Sequence, residues 1–78
     1  MTKLQILLIK HCAVLELLNE LYKKARDFYL LCDKAPKEYK DMYLQKYLNY
    51  SQFISDVQNY ANELKEEIDV EESKEKWH

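Results

Sequence analysis

The chain of 78 residues contains no glycine and a single proline, Pro36, near its midpoint. Glycine supplies the positive φ that tight turns need, and proline ends a helix by removing a donor and clashing with the preceding turn. A chain with so little punctuation has few places to reverse direction. It predicts an all-α fold, an antiparallel two-helix hairpin turning once near Asp33-Lys34-Ala35-Pro36. The expected boundaries are helix 1 at about 2–32, a turn at 33–35 and helix 2 at about 36–70, one domain over 1–70. Residues 71–78 are mostly charged and are expected to form a frayed tail.

Periodicity supports both helices. Written as heptads, Leu4, His11, Leu18, Ala25 and Cys32 occupy a; Leu7, Val14, Leu21 and Phe28 occupy d; Leu8, Leu15, Tyr22 and Tyr29 occupy e. Three adjacent rows make a wide stripe of the kind a bundle helix buries. Helix 2 carries Tyr43, Tyr47, Tyr50, Ile54, Val57, Ala61, Leu64 and Ile68 in alternating steps of four and three, with Tyr39, Phe53 and Tyr60 widening one side. Facing residues are expected to add to about 72, which sets Leu18 near Ile54 and His11 near Ala61. A three-helix bundle, with a break at Asn49-Tyr50-Ser51 and Ser51 as an N-cap, is the alternative fold. The heptad steps run through that point undisturbed, which favours a continuous helix.

Two helices bury one face each, and this chain has more apolar surface than that. Ile6, Ile9, Ala13 and Leu17 fall within an arc of about 80°, nearly opposite the main stripe of helix 1. On helix 2, Met42, Phe53 and Tyr60 share one flank, and Leu48 stands alone. A patch at helical spacing marks an oligomer or partner interface. The simplest symmetric solution is a homodimer of hairpins, a four-helix bundle. His11 is the ionisable residue inside an apolar stripe, a candidate for pH sensitivity in the core or an interface.

The formal net charge of −2 gives no global attraction to nucleic acid. The charge is unevenly spread, however. Residues 23–46 carry seven basic and four acidic side chains, a net of +3; residues 65–78 carry three lysines and six acids, a net of −3. A hairpin would therefore be basic at its turn and acidic at its open end. Lys34, Lys37, Lys40 and Lys46 form the candidate surface for an anionic partner, and a dimeric hairpin binding nucleic acid through this end is the alternative function. Tyr43, Tyr47 and Tyr50 lie on the seam rather than beside those lysines, which argues against base stacking.

The residues of known catalytic chemistry are not grouped. Without glycine there is no phosphate-binding loop. His11 and Cys12 are adjacent and point about 100° apart on a helix, which serves neither a zinc site nor a Cys–His nucleophile pair. No acid falls on a buried stripe before Glu71. We expect no enzyme, no catalytic residue, no cofactor and no metal. Cys12 and Cys32 are twenty residues apart, about 30 Å along one helix, too far for a disulfide. Unpaired cysteines, no secretory signal and an apolar run at 4–9 too short to span a bilayer predict a cytoplasmic protein without membrane contact. Eleven lysines to one arginine, seven tyrosines, and only six residues of Gly, Ala, Arg and Pro together indicate an AT-rich genome: a low-GC bacterium, its phage or mobile element, or a similarly biased eukaryote. The expected function is that of a small protein-binding regulator or inhibitor of host machinery. A structural subunit of a larger assembly is a further alternative.

Overall fold

Thr2 sets where the first helix begins. Its hydroxyl accepts a hydrogen bond from the Gln5 backbone amide (3.1 Å), and the Gln5 side-chain oxygen accepts one from the Thr2 amide (2.9 Å). This reciprocal capping box satisfies two amides that the helix leaves without partners. The computed structural model describes residues 1–76, which form two helices, α1 (Lys3–Lys34) and α2 (Lys37–Lys76).

The turn consists of Ala35 and Pro36 alone. The proline bars the residue before it from helical ψ, and Ala35 is extended at φ −71°, ψ 150°. That restriction reaches back only one residue, so Asp33 and Lys34 stay helical and α1 runs two residues past the expected end. The Tyr39 amide donates to the Pro36 carbonyl at 2.9 Å, and α2 starts at Lys37, one residue later than expected. Helix α2 is continuous through Asn49-Tyr50-Ser51. Exposed (i, i+4) pairs line it on either side of that point: Gln45 with Asn49 at 3.1 Å, Gln52 with Asp56 at 3.2 Å.

The core lies between the helices in two parts. Leu18, Leu21, Ala25, Ile54 and Ala61 form one, with Val14, Tyr47, Tyr50 and Val57 packed against it. Leu7, Leu64 and Ile68 form the other, at the open end, with Leu4 and Val14 alongside. Ala61 is the most deeply buried at 2 % exposure. His11 is partly buried.

The register differs from the expected one. Close side-chain pairs across the hairpin join Lys3 to Glu71, Phe28 to Lys46 and Tyr50, and Tyr29 to Tyr47. Their numbers add to 74, 74, 78 and 76, about three more than 72. Side chains lean toward the N-terminus of their own helix. In an antiparallel pair both helices therefore contribute a residue slightly later in sequence than the backbone level suggests. At this offset a positions of one helix meet d positions of the other.

Helix α2 continues to Lys76, six residues past the expected end at 70. Glu71 explains the extension. It falls on the seam, and its side chain is 17 % exposed. Its carboxylate meets Lys74 at 3.2 Å on its own helix and Lys3 at 3.4 Å across the hairpin. Trp77 and His78, the remainder of the expected tail, lie outside the described residues.

The Lys74 hydrogen bond, seconded by Lys3, holds the Glu71 carboxyl below its ordinary value, against a weaker opposing effect of burial. A carboxylate whose folded-state pKa is lowered stabilises the fold fully above its unfolded value of 4.5, and that contribution disappears as pH falls through the folded value. The open end should therefore loosen below about pH 4.5 before the turn end does. Amide exchange at residues 66–72, compared between wild type and Glu71→Gln, checks this. The variant should show the looser end already at neutral pH; identical protection in both proteins would mean that the clamp contributes nothing.

Candidate interaction surfaces

A hairpin whose helices touch along one line leaves most of each helix in water. The structure measures 63 × 16 × 14 Å, with a radius of gyration of 17.8 Å against about 11.5 Å for a compact domain of this length. Its accessible surface is 6341 Å², whereas about 5,000 Å² is typical of a folded monomer of 9.5 kDa. The excess, roughly 1,300 Å², is larger than the ~800 Å² that each partner of a standard protein–protein interface buries.

Three groups of side chains make up much of the exposed apolar area, with Met1, Leu30, Leu31, Tyr39, Leu44, Leu48 and Val70 exposed outside them. The first is the patch on the outer side of α1: Ile6, Ile9, Ala13 and Leu17 are all exposed, Ile9 the most of them at 55 % among the large side chains. The second is on α2, where Met42, Phe53 and Tyr60 are each close to half exposed. Phe53 and Tyr60 therefore do not widen the core stripe, and neither does Tyr39. In heptad terms Leu17 on α1 and Phe53 and Tyr60 on α2 occupy the g rows. In an antiparallel pair these rows lie on the same flank of the seam, so Leu17 shares a flank with Phe53 and Tyr60, while Ile6, Ile9 and Ala13 lie toward the back of α1 and Met42 nearer the turn.

Sequence reasoning misplaced the third group. Leu8, Leu15, Tyr22 and Tyr29 read as the third row of a wide core stripe, yet they are 45–60 % exposed. The reason is geometric: the e row points roughly 70° away from the a/d line, and one neighbouring helix covers only that line. Tyr29, the most exposed of the four, still brings its ring centre to 5.5 Å from that of Tyr47. A signal was available in the sequence. The facing row of α2 is Leu44, Ser51, Gln58 and Lys65, which is too polar to close a core over the α1 row.

Tyr43, Tyr47 and Tyr50 are half-buried along the seam, and Tyr50 stacks on Phe28 with ring centres 5.3 Å apart. Lys34, Lys37, Lys40 and Lys46 are exposed at the turn end. The Lys46 ammonium sits 5.4 Å above the Phe28 ring, a cation–π contact that draws it toward the seam. A shallow depression of about 210 Å³ opens at the same end between Tyr29, Cys32, Asp33, Lys40, Leu44 and Tyr47. The Cys32 thiol there faces the Lys40 carbonyl at 3.6 Å. Among the described residues, no three His, Cys, Asp or Glu side chains come together as a metal site. No helix among them is long and apolar enough to cross a membrane. No protein-family model, curated protein or solved structure matches the chain.

Proposed function

We propose that this protein is a small, non-enzymatic regulator or inhibitor that self-associates as a four-helix bundle of hairpins and docks on another cytoplasmic protein. The observation that carries the reading is the accessible surface: 6341 Å² on a 9.5 kDa chain, with large apolar side chains half exposed on both helices. Exposed apolar area at this density belongs to proteins that work by covering it. The docking face is the patch of Ile6, Ile9, Ala13 and Leu17, with Phe53 and Tyr60 beside Leu17 and Met42 further toward the turn. It is a helical ridge of the kind that enters a hydrophobic groove through anchors at spacings of three, four and seven.

The double variant Ile9→Glu/Leu17→Glu tests it. Both residues are exposed, so the helical signal in circular dichroism should be unchanged. Capture from the native host, identified by mass spectrometry and repeated with the purified candidate, should yield a protein that wild type binds and the variant binds at least about 30-fold more weakly, a hot-spot loss of roughly 2 kcal/mol. That binding should vary little with salt. Submicromolar binding to DNA or RNA that falls steeply with salt, and that Lys37→Glu with Lys40→Glu abolishes, would replace this reading with nucleic-acid recognition through the turn end.

A further inference from the structure

We infer that the hairpins self-associate through the exposed row Leu8, Leu15, Tyr22 and Tyr29, with α1 packed against α1 of a second copy and the two turns at opposite ends. This deepens the proposed function and rests on its self-association. It assigns that role to one face and leaves the patch around Ile9 and Leu17 free for the other protein.

The row repeats every seven residues over 8–29, at 45–60 % exposure. Its midpoint is 18.5, which is also the midpoint of Lys3–Lys34. Two copies of α1 laid antiparallel with full overlap therefore bring the row onto itself. Leucines at the first half of one copy then face tyrosines at the second half of the other, a small-to-large match along the whole line. The neighbouring row on the same side holds Cys12, Asn19 and Arg26, which puts no like charges opposite each other in this arrangement.

A two-fold axis can join these faces in two ways. An axis along the hairpin would lay α1 over α2 of the other copy, with both turns at one end. The apolar row would then meet Ser51, Gln58 and Lys65, and the basic turn ends would lie side by side. An axis across the hairpin gives the arrangement we infer. It stacks apolar on apolar and brings the turn end of each copy, where residues 23–46 carry a net +3, to the open end of the other, where residues 65–76 carry a net −3. The contact is a strip along α1: the row from Leu8 to Tyr29 spans about 32 Å of helix at 1.5 Å per residue.

Cross-linking in the full chain separates this arrangement from the others. With Cys32→Ser, the remaining Cys12 lies 13 residues, about 20 Å along the axis, from the partner's Cys12. A short bis-maleimide should leave this protein uncross-linked. Adding Arg26→Cys should give a covalent dimer, because residue 26 of one copy comes nearly level with residue 12 of the other; Arg26→Cys together with Cys12→Ser should not. Sedimentation equilibrium supplies the second arm. Wild type and Ile9→Glu/Leu17→Glu should have twice the chain mass, and Leu15→Glu/Tyr22→Glu the mass of one chain. A dimer mass without the 12–26 cross-link, or a cross-link through Cys12 alone, would overturn the inferred face and direction while leaving self-association standing. A monomer mass for wild type would overturn self-association itself.

Discussion

Leu18→Ala is expected to leave the chain largely unfolded at 25 °C. Leu18 is 4 % exposed and joins the larger part of the core, where Leu21, Ala25, Ile54 and Ala61 surround it. Removing a buried leucine side chain costs about 2–5 kcal/mol, the transfer of its methyl groups plus the cavity left behind. A core of this size supplies at most about 3–5 kcal/mol of net stability. The loss is therefore comparable with the whole. Urea titration followed by circular dichroism reads the effect, with Leu30→Ala as the control. Leu30 lies on the face opposite the seam at 45 % exposure, and its truncation should change stability by less than about 0.5 kcal/mol. Equal midpoints for the two variants would mean that the seam between α1 and α2 is not what holds the protein together. Both variants need the same chain concentration, because the proposed self-association would add a concentration-dependent term.

Replacing Pro36 by alanine is expected to change the shape of the molecule rather than its helix content. The turn is two residues long, and no positive φ or glycine maintains it. What stops the helix is the restriction on Ala35 and the missing amide of Pro36, worth ~3 kcal/mol or more against a continuous helix. An Ala-Ala pair has the best helix propensity available, and the preceding and following turns are already helical. The chain can then run straight from Lys3 to Lys76, 74 residues or about 110 Å at 1.5 Å per residue. The seam would be satisfied between two chains instead of within one, since α1 of each pairs with α2 of the other in the same register. Small-angle scattering should show a longest dimension well beyond the 63 Å hairpin, with helical content unchanged or slightly raised. A Pro36→Ala protein that keeps the wild-type dimensions would show that core pairing alone bends the chain at Ala35.

Much of this architecture follows from local rules that act along the chain. One proline with no glycine allows one turn, and the restriction that proline places on Ala35 puts the turn there. The steps of four and three from Tyr43 to Ile68 describe a helix with a continuous seam, and α2 runs unbroken across Asn49-Tyr50-Ser51. Cysteines twenty residues apart on one helix stay unpaired, Cys12 exposed and Cys32 partly buried. Each of these depends on backbone geometry within a few residues, so the order of residues is enough to decide it.

The tertiary structure decided the width of the core. Periodicity states which residues share a face of a helix, but only the number of neighbouring helices determines how much of that face is covered. With one neighbour the a and d rows are buried or partly buried, and Leu8, Leu15, Tyr22 and Tyr29 remain in water beside them. The three-residue shift of the register has the same origin, since it depends on how side chains lean once two helices are in contact. So does the fate of Glu71, an isolated acid at the end of a fading stripe in the sequence. Only the antiparallel return of α2 brings Lys3 to it, and with that contact the helix continues to Lys76.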